Sequence, residues 1–200
     1  MYYEEKTMKN VLSLSIAFAA LLGSTSVSFA EEAYVEAARA YFAANVQPWL
    51  EDAAVVDAVK AQNAAHAGLD AAAIDALDKA WRAEVDAAAK PTIDAALASP
   101  LSKFLAGKRD ASNGLITEMF VTDDKGLNVG QSDPTSDYWQ GDEAKWKESF
   151  GKGPGVVFVD AVEKDESTQQ MQTQLSATIV DPASGAAIGA ITIGINVDGL

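Results

Sequence analysis

The feature that most limits what this chain can fold into is a change of hydrophobic period near residue 110. Before it, Ala-rich sequence places apolar residues three and four apart, the spacing of a helix face. After it, Gly, Thr, Val and Ile dominate, and the alternation of a half-buried strand takes over. Helices first and strands afterwards predict an α+β domain, with helices packed on an antiparallel sheet.

In the helical half, Val35, Phe42, Val46, Trp49 and Leu50 fall on one face, widened by Tyr34, Ala38 and Tyr41. An interior Pro removes a hydrogen bond and costs about 3 kcal/mol, so Gln47-Pro48 predicts a kink or restart before the period resumes at Val56 and Val59. Gly68 is a stop. Asp70 is a cap, with Leu69 stapled on Ile74, and Ile74, Leu77, Trp81 and Val85 make the next buried face. Pro91 and Ser99-Pro100 read as further starts, and Gly107 as the end of the helical half.

From Leu115, "LITEMFVT", the turn "DDKG" and "LNVGQS" read as a hairpin, with Gly126 supplying a positive φ. "TSDYWQGDEAKW" follows, Thr135 to Trp146, leading into a short helix that puts Trp146 and Phe150 on one side. "VVFVDAVE", "QQMQTQLSATIV" and "AAIGAITIGINV" are then three strands in meander order, joined by "KDEST" and "DPASG". Five strands are expected.

The first thirty residues stand apart. Val11–Gly23 is an apolar run short for a bilayer span; Lys9 precedes it, and Ser28-Phe29-Ala30 fits a signal-peptidase site. Residues 1–30 therefore read as a cleavable secretory signal and the protein as periplasmic, with an uncleaved anchor as the competing reading. Glu4 and Glu5 stand where a basic region belongs, which makes Met8 a candidate start. Residues 31–109 are then the helical region and 110–200 the sheet, together one domain.

The net charge is −14, and the two Lys and two Glu of the first thirty residues cancel, so the remainder keeps it. Such a balance excludes nucleic acid as a partner and disfavours anionic lipid. With no Cys and one His, His66, thiolate chemistry and multi-histidine or Cys-ligated metal sites are excluded. His66 reads as a solvated helix-end residue. No nucleophile elbow or metal set appears, so no enzyme, cofactor or metal is expected.

Taken in order, "FVTDDKGLNVGQSD", "VEKDEST" and "ATIVDPASGAAIGAITIGINVD" resemble the strand-turn-strand, acidic turn and closing hairpin of extracytoplasmic PAS-like domains, the Cache or PDC sensor family. The resemblance spans about residues 32 to 198. It implies a single Cache domain, helices on a five-stranded antiparallel PAS-like sheet. It also implies a small molecule held between that sheet and the connection joining strands two and three, with Asp165 at the rim. Amino-acid-binding members carry Arg and aromatic residues in that connection, whereas here no Arg follows Arg109. The usual bidentate carboxylate clamp is missing, with Lys145 as a point-charge substitute.

The candidate ligand residues are Asp137, Tyr138, Trp139, Trp146, Asp160, Asp165, Gln172 and Gln174. Tyr138, Trp139 and Trp146 are either pocket walls or core. Asp137, Asp142 and Glu143 either bind an amine or, for the last two, start a helix. Asp160 in an apolar strand must be paired, liganded or at the sheet edge. Gln172 and Gln174 share a polar strand face with Gln170, Ser176 and Thr178; solvent is its simplest neighbour, and a pocket the alternative.

The functional expectation is a small-molecule-binding sensory domain without an output module of its own. It would take an amine or neutral polar metabolite and present the bound state to a membrane receptor or other protein. The exposed face of the long N-terminal helix is a candidate homodimer surface. The alternative is a non-catalytic structural or interaction protein whose pocket is filled by its own side chains.

Overall fold

The computed structural model describes residues 24–164 and 170–200. The apolar run Val11–Gly23, Met8 and the rim candidate Asp165 lie outside the described residues. Helix α1 (Ser24–Asn45) ends ahead of Pro48, a single 3-10 turn covers Gln47–Trp49, and α2 (Ala53–His66) restarts the period. Then come α3 (Ala71–Val85), α4 (Pro91–Leu97) and α5 (Pro100–Ala111). The Asp70 carboxylate accepts from the Ala73 N–H at 2.9 Å, and Ser99 Oγ accepts from the Ser102 N–H at 3.1 Å; both caps occupy the positions their sequence signals give them.

Two helical expectations need correction. Gly107 does not close the helical half: α5 runs on to Ala111, because burial of Leu101 and Leu105 outweighs the roughly 1 kcal/mol cost of an interior Gly. The turn out of the helix instead uses Asn113 and Gly114, at φ 54° and 86°. On α3, Trp81 is buried but Leu77 is 39% exposed, since this helix lies against α4 and the later connection rather than across the main core.

The sheet contains β1 (Ile116–Thr122), β2 (Asn128–Gln131), β3 (Val157–Val159), β4 (Glu163–Lys164), β5 (Met171–Val180) and β6 (Ala187–Asn196). All pairs are antiparallel, in the order β2-β1-β6-β5-β3, with β4 pairing further along β5. The expected third strand is thus two pieces, interrupted after Val159, and five strands become six. A short helix, α6 (Ala144–Lys147), sits in the connection from β2 to β3.

The two sheet faces have opposite characters. On one, Met119, Val121, Leu175, Ala177, Ile179, Ile191, Ile193 and Ile195 pack beneath α1, α2 and α5, meeting Phe42, Val46, Val55, Val59, Leu101 and Leu105. Each such side chain contributes about 1.5–3 kcal/mol when fully buried. On the other lie Phe120, Ser176 and Thr192, in register across the sheet, beside Gln172, Gln174 and Thr178. Met171, expected on the apolar face, is 39% exposed, because it lies at the end of β5 against the two-residue β4.

Close approach of β1, β6 and α2 depends on Gly189, where a Cβ would come within 2.1 Å of the Thr122 carbonyl oxygen and 3.1 Å of Val59 Cγ1. Gly189→Ala is expected to destabilise the protein by about 3 kcal/mol, read as a lower urea midpoint at unchanged m. An unchanged midpoint would show that β6 can shift to admit the methyl group.

Candidate functional site: a polar groove under the β2–β3 connection

The site begins at the β1–β2 turn. Gly126, at φ 83°, donates its N–H to the Asp123 carbonyl. The Asp123 carboxylate is fully buried: Oδ1 accepts the N–H groups of Lys125 and Leu127, each at 2.9 Å, and Oδ2 accepts Gln62 Nε2 at 3.0 Å. His66 Nδ1 lies 2.7 Å from the same Oδ2. His66, at the end of α2 as the sequence suggests, is therefore tied to the turn rather than solvated.

The connection lies along the outer edge of β2. Leu127 and Trp139 form a bridge, the Asn128 N–H donates to the Tyr138 carbonyl at 3.0 Å, and the Gln140 N–H donates to the Gly126 carbonyl at 2.7 Å. Backbone meets backbone here: a Cβ on Gly126 would be 2.6 Å from Gly141 Cα. From the helical side, Asp78 Oδ1 accepts the N–H groups of Tyr138 and Trp139 at 2.9 and 3.0 Å. Arg82 donates to Asp78 at 2.6 Å and to Asp137 at 3.0 Å.

No Arg follows Arg109 in the sequence, but the inference that none lies near the connection is thereby corrected. Arg82 and Arg109 both reach it from helices that precede it, Arg109 binding Asp133 and the Ser132 carbonyl. Arg82 is already engaged by two carboxylates. Partial burial works to raise the Asp78 pKa, but hydrogen bonds from Arg82 and from the Trp139 and Tyr138 N–H groups hold it below the ordinary aspartate value.

Between the connection, α6 and the polar face of the sheet lie two adjoining hollows. The larger, about 330 Å³, is lined by Glu143, Lys145, Asp160, Glu163, Gln172 and Gln174, among others. The smaller, about 240 Å³, is lined by Glu118, Phe120, Asp137, Gln140, Lys145, Gln172 and Gln174, with residues 134–136. Lys145, Gln172 and Gln174 border both, so the hollows form one groove.

Four of the sequence candidates meet there: Asp137, Asp160, Gln172 and Gln174. Asp160 lies just beyond β3 at the sheet edge, its Oδ1 accepting the Ala161 N–H at 2.8 Å. Gln174 Nε2 donates to Glu118 Oε1 at 2.9 Å, and Gln172 Oε1 accepts from Thr117 Oγ1 at 2.9 Å. The polar strand face is divided: its Gln172 and Gln174 end opens on the groove, while Ser176 and Thr178 are buried, Ser176 bonded to Thr192 and Thr178 to the Gly153 carbonyl. The simple expectation of a solvent-facing strand does not hold for that buried end.

The three aromatics lie outside the lining of both hollows. Tyr138 stacks on Trp81 with centroids 5.2 Å apart, and burial, then the Asp123 charge, pushes its pKa up to about 12. Trp139 donates Nε1 to the Lys125 carbonyl at 2.8 Å beside Gly141. Trp146 packs on Phe150 at 5.0 Å. Glu143 precedes α6 as its N-cap residue and pairs with Lys145 at 2.9 Å.

Sequence reasoning missed Glu118, Phe120 and Gln140. Strict alternation in "ITEMFVT" sets Glu118 and Phe120 opposite Met119 and Val121, a usable signal. Nothing local marks Gln140, whose side chain is 1% exposed. Its Nε2 donates to the carbonyl and carboxylate of Asp137, leaving Oε1 without a protein partner.

Helices, a two-strand hairpin, a connection carrying a short helix, and an antiparallel meander is the arrangement by which the sequence resembles extracytoplasmic sensors. This is a PAS-like α+β fold, an antiparallel sheet in the order β2-β1-β6-β5-β3 with helices on one face. No protein-family model matches the chain, and no curated protein matches it. Among solved structures it is similar to the sensor domain of the Vibrio cholerae histidine kinase DctB, at 11% identity and a TM-score of 0.48, covering 87% of this chain and 55% of that one. It is also similar to the Campylobacter jejuni chemoreceptor Tlp3 sensory domain with isoleucine bound, at 13% identity and a TM-score of 0.38, covering 84% and 63%. The chain thus spans less than two thirds of those structures' lengths. Its assignment to the PAS-like class rests on its own strand order and connections. Among the described residues no helix is long and apolar enough to cross a membrane.

Two outcomes are expected from the supports of the groove. Asp123→Ala leaves the Lys125 and Leu127 N–H groups without an acceptor and takes one of several from Gln62, a loss of about 3 kcal/mol that chemical denaturation would measure. Because the folded pKa of Asp78 is depressed, its contribution is complete above its unfolded value and is lost as pH falls through the lower folded value. Asp78→Asn should therefore lower the Tm at neutral pH and make its decline from about pH 4.5 to pH 2 shallower. A parallel decline in both proteins would contradict the pairing.

Proposed function

We propose that the groove binds a small polar molecule and that the protein is a non-catalytic, extracytoplasmic sensory domain. The observation carrying this reading is the convergence of Asp137, Asp160, Gln172 and Gln174 on one open groove over the polar sheet face. A hollow with a few convergent polar groups in its wall is what a small polar ligand needs. Asp137, Asp160, Gln172 and Gln174 are the proposed contacts, joined by Glu118, with Lys145 bordering both hollows. With carboxylates and amide oxygens prominent in the walls, an amine or neutral polar donor suits the groove better than an acid.

Sensing requires that binding change something a partner can read. The connection carrying Asp137, Gln140 and Lys145 also carries α6, so a ligand there acts on a segment held mainly by hydrogen bonds at the edge of β2. A membrane receptor or another copy of the chain paired through α1 would be the reader, and residues 1–30 would be the export signal. The rival reading is an interaction protein without a ligand. It is favoured by the internal packing of Tyr138, Trp139 and Trp146.

A thermal-shift panel of amines, amides, polyols, amino acids and organic acids decides between them. The sensory reading expects at least one compound to raise the Tm by several degrees, with Gln174→Ala and Asp160→Asn abolishing the shift while remaining folded. No shift with any compound would favour the interaction protein. A shift that survives both substitutions would move the site elsewhere.

A further inference from the structure

Lys145 borders both hollows and is the only cation among their described lining residues, which also include Glu118, Glu143, Asp160 and Glu163. Its ammonium lies 2.9 Å from Glu143 Oε2 and 5.4 Å from the centroid of the Phe120 ring, with the side chain only 16% exposed. A carboxylate on one side and an aromatic face on the other is the setting an organic ammonium needs. The other acid of the smaller hollow, Asp137, is already matched by Arg82.

We propose that Lys145 is a resident cation holding the place of a ligand ammonium, and that the groove is specific for small organic ammonium compounds, which bind by displacing it. The inference rests on the groove being the ligand site. Binding then exchanges one ion pair for another and frees the Lys145 stem from Phe120. Since Lys145 belongs to α6, the exchange is transmitted directly to the connection. Lys145 thus sets both selectivity and threshold: a ligand must compete with a tethered cation at high effective concentration.

The test is titration calorimetry with n-butylammonium and 1,4-diaminobutane at low salt, on the wild-type protein and on Lys145→Met, which keeps the apolar stem and removes the charge. The variant is expected to bind both amines about fivefold more tightly, the worth of one partly exposed ion pair. Lys145→Gln provides the same comparison should the Met variant fail to fold. Equal or weaker amine binding in the charge-removed variant would overturn the proposal and make Lys145 a direct ligand contact. No amine binding in either protein, with a neutral or anionic compound bound instead, would overturn it while leaving the groove as a ligand site. No binding of any compound would sink both.

Discussion

The buried carboxylate of Asp123 is the interaction on which the site depends. It accepts two backbone N–H groups of its own turn and is met by Gln62 and His66 at the end of α2. One aspartate thus shapes the hairpin and fastens it to the helical layer. An ionised group can remain buried only when its lone pairs are occupied in this way. The turn then exposes the Gly126 carbonyl and the edge of β2, which the connection uses for backbone hydrogen bonds. The groove is therefore built outward from a fixed turn.

That construction separates stability from recognition. The apolar sheet face and α1, α2 and α5 supply the burial that holds the fold. The opposite face is left to polar side chains, some sealed, as Ser176 with Thr192, and some open, as Gln172 and Gln174. Polar groups on a half-covered face are inexpensive while water or a ligand reaches them. The connection is held by Asp78, Arg82 and main-chain bonds rather than by a thick apolar layer, which suits an element that must respond to what lies beneath it.

Much of the fold was legible because it is local. The Asp70 and Ser99 caps, the break at Pro48 and the positive φ at Gly126 each follow from one or two residues and a steric or hydrogen-bonding rule. The alternation of β5 placed Gln172 and Gln174 on one face, and the order of turns and strands identified helices packed on an antiparallel PAS-like sheet. Less legible was anything requiring distant segments to meet. Arg82 lies in a helix whose face is legible, but its reach to Asp137, 55 positions later, has no local signal. Tyr138 and Trp139 sit in irregular sequence that permits either a pocket wall or packing. Only the positions of Trp81 and Lys125 show how each is occupied.

The central claim is that small-molecule recognition takes place on the polar sheet face beneath the β2–β3 connection. Two-dimensional 1H–15N spectra of the protein, titrated with 1,4-diaminobutane, test it most directly. The account expects saturable shifts concentrated at residues 118–120, 137–145, 160 and 172–174, with the helix-covered strand positions 191, 193 and 195 little changed. Saturable shifts confined to α1, α2 and α5 would contradict it.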